Sequence, residues 1–255
     1  MSPDGQTWIL LNASPDLRQQ IEHNPVLWPA HGLRSSPIGA VVLTGGEVDV
    51  IAGLLTLRER QAFGLYATAP VHGVLDANPV FEVLARDVVR RQVVALDESV
   101  VIGGLSVTLF AVPGKVPLYL EGNDQPAIGV NEQTVGAAVS DGRDTLFFVP
   151  GCAAMTPALR ERLRGAALVL FDGTLWTDDE MITAGLGPKT GARMGHMSVS
   201  GPDGTMTAFD GLGVKRKILI HINNSNPILL DDSPERATAV AAGWEVAYDG
   251  MELTL

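Results

Sequence analysis

The chain has 255 residues, of which 46% are hydrophobic and 18% charged, a balance that permits a sizeable core and excludes a disordered protein. The net charge is −11 and no run of four or more lysines and arginines occurs, which argues against a nucleic-acid or polybasic membrane surface. One cysteine, a polar N-terminus and interrupted apolar stretches indicate a reducing location without a signal peptide or membrane span, and we expect a cytoplasmic protein.

The first half of the chain alternates apolar runs with helical patterns. Three strands are predicted there, at Trp8–Leu11, 38–44 and 65–67. Ser14 followed by Pro15 is typical of a helix N-cap and first turn, so a helix is predicted to begin there. Two further helices are predicted over residues 51–58 and from Asn78 to about Arg91.

The second half combines two hairpins with further strands. The hairpins cover residues 100–112 and 134–149, and they turn at Gly103-Gly104 and at Asp141-Gly142. A helix over 156–164 is predicted with Thr156 as its N-cap and Pro157 as its first residue. Later strands are predicted at 167–171, 218–221 and 244–248. This order predicts a single α/β domain over residues 1–255, with a mixed sheet and helices on its outer faces.

Polar residues follow five of these strands, beside glycines that let the backbone approach a ligand closely. Because the carboxyl ends of parallel strands share one edge of a sheet, the five segments predict a site on that rim. They are residues 44–49, 112–115, 150–152, 171–174 and 221–227. Glycine-rich phosphate loops, the serine hydrolase elbow, cysteine pairs and the His-Glu-x-x-His motif are absent from the sequence.

Residues 44–53, Thr-Gly-Gly-Glu-Val-Asp-Val-Ile-Ala-Gly, resemble the Thr-His-x-His-x-Asp-His-x-x-Gly signature of the metallo-β-lactamase superfamily. In this alignment Asp49 matches the aspartate, whereas Gly45, Glu47 and Val50 stand in place of the three histidines. The resemblance implies a metallo-β-lactamase-like four-layer αββα sandwich, here lacking the usual N-terminal strand.

Later segments resemble the same superfamily. Lys115 replaces the histidine of a Pro-Gly-His turn, and Cys152 replaces the aspartate of a Gly-Asp turn. His196 and His221 match the late histidines of the branch that includes tRNA-processing nucleases. A phosphodiesterase of that branch is disfavoured, because two-metal hydrolysis needs the missing first histidine pair.

Within the superfamily the chain most resembles the family of protein B of pyrroloquinoline quinone (PQQ) biosynthesis. The most specific matches are residues 54–59, 112–118, 150–153, 170–174, 194–196 and 221–224. That family usually carries Asp-His where this chain has Asp49 and Val50. It also begins with a glycine-rich strand and a zinc-binding cysteine cluster, and this chain starts after that segment.

The resemblance implies an iron(II)-dependent oxygenase that hydroxylates the tyrosine ring of a Glu-Tyr intermediate derived from a precursor peptide. An alternative from another class is a non-catalytic carrier that assists transport of PQQ or its precursor to the periplasm. The expected partner is a small quinone precursor, and a homodimer is also predicted. Whether this chain is an enzyme stays open, because valine cannot coordinate a metal where the family has histidine.

The resemblance also implies site residues. The catalytic and metal-binding set is Asp49, His196 and His221, with Glu47 as a further metal ligand. Iron(II) is the expected metal and zinc is the second candidate. Because valine replaces a histidine at position 50, the site could also lack a metal. The substrate contacts are Lys115, Asp172, Asn223 and Asn224.

Structural roles compete with these assignments. Asp49 could cap a helix, Cys152 could be a small buried hydrophobe, and His196 could be a loop histidine. Asp172 could instead orient a metal-bound histidine, and the asparagines could hold their turn through side-chain hydrogen bonds.

Overall fold

The structure is a computed structural model, and it describes residues 1–32, 35–122 and 127–254. The chain forms two compact units, one of Met1–Phe110 with Val116–Gln125 and one of Ala111–Lys115 with Pro126–Leu255. The single domain expected over residues 1–255 stays a prediction.

The first unit contains a parallel four-stranded sheet in the order β1-β2-β3-β4. Its strands are β1 (Trp8–Leu11), β2 (Ile38–Val42), β3 (Gly64–Ala67) and β4 (Arg90–Val93). Its α-helices are α1 (Leu17–His23), α2 (Val48–Ile51) and α3 (Ala69–Ala77), and its 3-10 helices are Pro25–Leu27, Ala52–Leu57, Pro79–Val83 and Leu118–Leu120. The unit also holds the antiparallel hairpin of β5 (Ser99–Ile102) with the first part of β6 (Leu105–Gly114).

The strand predictions of this half are confirmed, whereas the helix predictions are partly wrong. Helix α1 begins at Leu17 with Asp16 as its N-cap, two residues later than Ser14-Pro15 indicated. The helix expected over 51–58 is a short α-helix followed by a 3-10 helix.

The long helix predicted from Asn78 is also wrong, because Asn78 ends α3 instead of opening a helix. Its backbone is extended, with φ −115° and ψ 93°, the conformation that a following proline favours. Its side-chain amide donates to the carbonyl of Val74 at 2.7 Å, which closes the last turn of α3. Only the 3-10 helix Pro79–Val83 follows before β4.

The apolar core of the first unit forms between the sheet and these helices, because alternate strand residues and one face of each helix are apolar. Its fully buried members include Val41, Leu43, Leu54, Leu65 and Leu75.

Gly53 lies where the 3-10 helix Ala52–Leu57 packs against the backbone of Ala13 and Ser14. Its amide donates to the carbonyl of Ala13 at 2.8 Å. A Cβ added to Gly53 would lie 2.0 Å from the carbonyl oxygen of Ser14, so only glycine fits. The glycine that ends the 44–53 signature is therefore required because another backbone segment lies too close for a side chain.

The second unit contains a sheet in the order β11-β10-β9-β8-β7, with the end of β6 beside β7. Strands β8, β9, β10 and β11 run parallel to one another, and β7 pairs with β8 in the antiparallel direction. The strands are β7 (Gly129–Ser140), β8 (Thr145–Val149), β9 (Leu168–Asp172), β10 (Arg216–Ile220) and β11 (Trp244–Val246). The α-helices are α4 (Pro157–Leu163), α5 (Glu180–Thr183), α6 (Gly191–Met194), α7 (Thr205–Ala208) and α8 (Pro234–Ala241), and Pro227–Leu229 forms a 3-10 helix.

Most predictions for this half are confirmed. Both hairpins form, and the side chain of Thr156 accepts a hydrogen bond from the amide of Leu159, as the N-cap assignment requires. The three late strands lie within two residues of their expected positions. Helix α8 was not predicted, although Ser233 caps it and a proline opens it in the same way. Among the described residues, no helix is both long and apolar enough to span a membrane.

Substituting Gly53 should destabilise the protein strongly. We expect Gly53→Ala to lower the free energy of unfolding by about 3 kcal/mol, because a backbone carbonyl must move to admit the methyl group. Gly73→Ala is the matched control, since an added Cβ at this exposed position in α3 meets nothing within 4 Å. Alanine there should stabilise the protein by about 0.5–1 kcal/mol. Urea unfolding of both variants checks this, and equal effects would contradict it.

Candidate metal centre

Three of the five polar segments meet at one edge of the second unit's sheet, because β8, β9 and β10 are adjacent and parallel. Val149 pairs with Phe171, and Ile220 pairs with Asp172, so the three strands end at the same level. The loops that follow them carry Cys152, Thr174 and His221.

Asp172, the last residue of β9, is the buried centre of this edge, and its side chain is fully inaccessible. Its Oδ1 accepts from the amide of Thr174 at 3.0 Å and from the hydroxyl of Thr174 at 2.7 Å. Its Oδ2 accepts from the amide of Cys152 at 2.8 Å and lies 2.7 Å from His196 Nδ1. The carboxylate therefore has four hydrogen-bond partners from three chain segments.

Two histidine rings lie beside this carboxylate. The rings of His196 and His221 are stacked, with centroids 5.2 Å apart and planes inclined by 20°. Thr174 Oγ1 lies 3.1 Å from His196 Nδ1 and 2.9 Å from His221 Nδ1. One hydroxyl thus connects both imidazoles to the carboxylate.

The backbone at both histidines is bent sharply. His196 follows Gly195, which ends α6 in the left-handed region with φ 91°. His221 itself has φ 53°, which is rare for a residue with a side chain and costs about 1–3 kcal/mol. Its carbonyl accepts from the hydroxyl of Thr174 at 3.0 Å, so the bend is held by the same network.

Electrostatics keep Asp172 ionised. Burial pushes the pKa of Asp172 upward, but the charge and hydrogen bond of His196, the charge of His221 and the hydroxyl of Thr174 together hold that pKa below its ordinary value. The pKa of Cys152 moves the other way, to about 12, because burial and the nearby Asp172 charge disfavour a thiolate. Cys152 therefore serves the site through its amide, while its thiol donates to the carbonyl of Ala154 at 3.2 Å.

These groups fit a metal ion. The potential ligand atoms of Asp172, His196 and His221 lie within 4.8 Å of one another. Asp172 already has about as many hydrogen bonds as a carboxylate can accept, and both Nδ1 atoms face the Asp172–Thr174 pair. A carboxylate behind imidazole rings is typical of metal-binding histidines. The arrangement suits coordination through the two Nε2 atoms, with Asp172 orienting the rings, which is the alternative that the sequence left open. The substrate contact of Asp172 stays a prediction.

The other predicted residues of the second unit lie close by. Lys115 passes over Gly195, since its Cγ is 3.3 Å from the position of a Cβ on that glycine. Asn223 donates from its amide to the carbonyl of Thr174 at 3.0 Å and from its side chain to Ser225 Oγ at 2.6 Å, so it holds the turn. Asn224 is exposed.

Two further residues, Thr174 and Asn226, shape the site and are not among the residues predicted for it. The local signal for Thr174 is the Asp-x-Thr pattern, a turn in which the aspartate accepts from the backbone two residues later. Asn226 lies in the polar segment 221–227, and its buried side chain donates to the carbonyl of Gly173 at 2.9 Å, which fixes the position of Thr174.

The remaining predicted ligands belong to the first unit. Glu47 holds the N-cap position of α2, so the alternative that Asp49 caps this helix is wrong. Asp49 lies exposed in the first turn. Val50 is only 7% exposed and packs into the apolar core of that unit. The roles of Asp49 and Glu47 as metal ligands stay predictions, as does the loss of affinity attributed to Val50.

A cavity of about 470 Å³ borders His196 in the second unit. Its surface is more apolar than polar, and its polar lining residues include Thr177, Asp178, Ser198 and Ser200. The volume is in the range of small-molecule sites.

Comparisons with known proteins place this site in context. Residues 7–222 match the model of a family described as "Beta-lactamase superfamily domain". The chain is 61% identical to the coenzyme PQQ synthesis protein B of Gluconacetobacter diazotrophicus, over 100% of this chain and 85% of the relative. It is 56% identical to the protein of that name from Xanthomonas euvesicatoria, over 100% of this chain and 86% of the relative.

Solved structures agree. The crystal structure of Zn(2+)-bound PqqB from Methylobacterium extorquens is 52% identical, with a TM-score of 0.98 over 100% of this chain and 86% of that one. A diphosphatase of the PhnP family shares only the fold, at 20% identity and a TM-score of 0.65, over 97% of this chain and 79% of that one. The metallo-β-lactamase fold and the family expected from the sequence are confirmed.

Replacing Asp172 by asparagine should destabilise the protein despite the equal size. The asparagine side chain has a single acceptor oxygen, so the donors that face its NH₂ group lose their hydrogen-bond partner. We therefore expect the free energy of unfolding at pH 7 to fall by about 3 kcal/mol. Asp178→Asn is the matched control, because the Ala192 amide needs only one acceptor oxygen there and the residue is exposed.

The loss should depend on pH. Folding lowers the pKa of Asp172, so the ionised carboxylate stabilises the folded protein at pH values above its unfolded pKa of about 3.9. This stabilisation is lost as the pH falls through the lower pKa of Asp172 in the folded protein. Urea unfolding at pH 7 and below pH 4 measures this. A deficit of Asp172→Asn that stays constant, or grows, on acidification would contradict it.

Proposed function

The chain belongs to the coenzyme PQQ synthesis protein B family of the metallo-β-lactamase superfamily, and from this premise we propose that it is a metal-dependent oxygenase of PQQ biosynthesis. The substrate is the Glu-Tyr intermediate cut from the precursor peptide, and the reaction is hydroxylation of its tyrosine ring. The observation that carries the proposal is the pair of imidazoles that Asp172 and Thr174 hold side by side. The expected cytoplasmic location and homodimer stay predictions.

The proposed metal is iron(II), with zinc as the second candidate; the related PqqB of Methylobacterium extorquens is Zn(2+)-bound. Iron that activates dioxygen uses two histidines and one carboxylate, with open positions left over. His196 and His221 would supply the histidines. The carboxylate is assigned to Asp49, and a further contact to Glu47, on the resemblance of residues 44–53 alone.

Bound iron(II) would supply the one-electron chemistry that dioxygen needs. Hydroxylation places one oxygen atom in an aromatic C–H bond, and the other leaves as water with two protons and two electrons from a reductant. The chain's own residues orient the reaction. Asp172 and Thr174 fix the rings, and the ordered loops around them limit movement of the ligands.

Substrate binding is proposed near His196. The stem of Lys115 crosses Gly195, beside His196, and its ammonium group suits a carboxylate of an anionic precursor. The cavity at His196 has room for a small molecule, and it combines an apolar surface with a few polar side chains. Asn224 is exposed and can add a hydrogen bond, whereas Asn223 shapes the loop.

The histidines can be tested by metal affinity. We expect His196→Ala and His221→Ala each to weaken Fe(II) binding at least 10-fold, since each removes a ligand and not only its support. His23→Ala is the control, because His23 is exposed at the end of α1. Anaerobic Fe(II) titration in competition with a chelating dye measures this. Unchanged affinity in both site variants would remove the proposed centre.

The reaction is tested with Fe(II)-loaded protein, dioxygen, ascorbate and the Glu-Tyr precursor. Mass spectrometry should show the precursor gaining oxygen atoms from ¹⁸O₂, and a chelator should abolish the gain. If no oxygen is incorporated while metal-free protein binds PQQ in equilibrium dialysis, the oxygenase proposal fails and the carrier function replaces it.

A further inference from the structure

We infer that Thr174 is a positioning residue which, together with Asp172, holds both His196 and His221 as the Nδ1–H tautomer. It rests on the proposed function only for the role of this tautomer, which is to present both Nε2 atoms to a metal. The hydrogen bonds that carry it belong to this chain and do not depend on any metal.

His196 contacts the carboxylate directly. Its Nδ1 lies 2.7 Å from Asp172 Oδ2, and a carboxylate can only accept. Two lone pairs do not face each other at that distance, so the hydrogen must be on Nδ1. The Cys152 amide, which donates to the same oxygen at 2.8 Å, keeps the carboxylate in place.

The hydroxyl of Thr174 extends the constraint to His221. The side chain is 6% exposed, so water cannot substitute for its partners freely. A hydroxyl has one proton, and its nearest acceptor is Asp172 Oδ1 at 2.7 Å. Once that proton is donated, only lone pairs remain for His221 Nδ1 at 2.9 Å, and the imidazole must donate.

The alternative hydrogen bond from the Thr174 hydroxyl is less favourable. The hydroxyl could donate to the carbonyl of His221 at 3.0 Å instead. Thr174 Oγ1 and Asp172 Oδ1 would then meet as two acceptors at 2.7 Å, beside a buried negative charge. Donation to Asp172 removes this repulsion and gives the shorter, charge-assisted bond.

The consequence is a defined presentation of both rings. The hydrogen bond at one imidazole nitrogen determines which nitrogen can bind a metal. With Nδ1–H fixed on both rings, each neutral imidazole offers its lone pair at Nε2. Free histidine in water favours the opposite form, so the network selects the minor tautomer before any metal arrives.

The tautomers can be read directly by long-range ¹H–¹⁵N NMR of full-length, metal-free protein labelled with ¹⁵N-histidine, at pH 8. His72 supplies an internal reference for the Nε2–H tautomer. Its Nε2 lies 2.9 Å from the carbonyl of Gln92, which requires Nε2–H, while its buried Nδ1 has no partner within the described part of the chain. Single His→Gln variants assign the signals.

We expect Nδ1–H at His196 and His221 in the unsubstituted protein and in Thr174→Ser, which retains the hydroxyl. Thr174→Val keeps the shape and removes the hydroxyl, so His221 should change to predominantly Nε2–H. His196 should stay Nδ1–H in this variant, because Asp172 Oδ2 still accepts from it. The His72 signal should be unchanged and reports that Thr174→Val is folded.

Nε2–H at His221 in the unsubstituted protein would overturn the inference even if Thr174→Val does not fold. An unchanged His221 tautomer in folded Thr174→Val would overturn it as well. A second measurement, Zn(II) affinity by competition with a chelating dye, should show a 10–100-fold loss in Thr174→Val and recovery in Thr174→Ser. Neither measurement requires substrate or dioxygen, so failure of the oxygenase proposal would leave these results interpretable.

Discussion

The buried carboxylate of Asp172 is the interaction on which the candidate site depends. An ionised carboxylate without access to water is very unfavourable unless donors surround it. Four donor groups meet it here, from the loop after β8, from its own turn and from the loop after α6. Asp172 therefore joins loops that are far apart in the sequence, and the orientation of both imidazoles follows from how these bonds are shared.

The sheet makes this convergence possible. Parallel pairing brings the ends of β8, β9 and β10 to one level, and β9 lies between the other two, so its last side chain can reach both neighbouring loops. The left-handed backbone at His221 redirects the chain at the end of β10. The surrounding bonds offset its cost, a common arrangement where a functional side chain must be aimed.

The sequence predicted what local patterns determine. Turn pairs located both hairpins, Thr156 before a proline located a helix cap, and apolar runs located the strands. The resemblance supplied His196, His221 and Asp172 as candidates. The role of Thr174 could not be read from the sequence, because its hydroxyl acts only when residues 172, 196 and 221 come together. The helix misplaced at Asn78 has a local cause, since Asn-Pro suits the end of one helix as well as the start of another.

We propose that Asp172 lies behind the imidazoles and orients them, while metal binds at their outer nitrogens. The most direct test is anomalous diffraction from crystals of the metal-loaded protein, recorded on both sides of the zinc or iron absorption edge. The account predicts a peak about 2.0–2.1 Å from Nε2 of both His196 and His221, with both Asp172 oxygens still bonded to their four donors. A peak coordinated by an Asp172 oxygen, or by Nδ1 of either histidine, would contradict it.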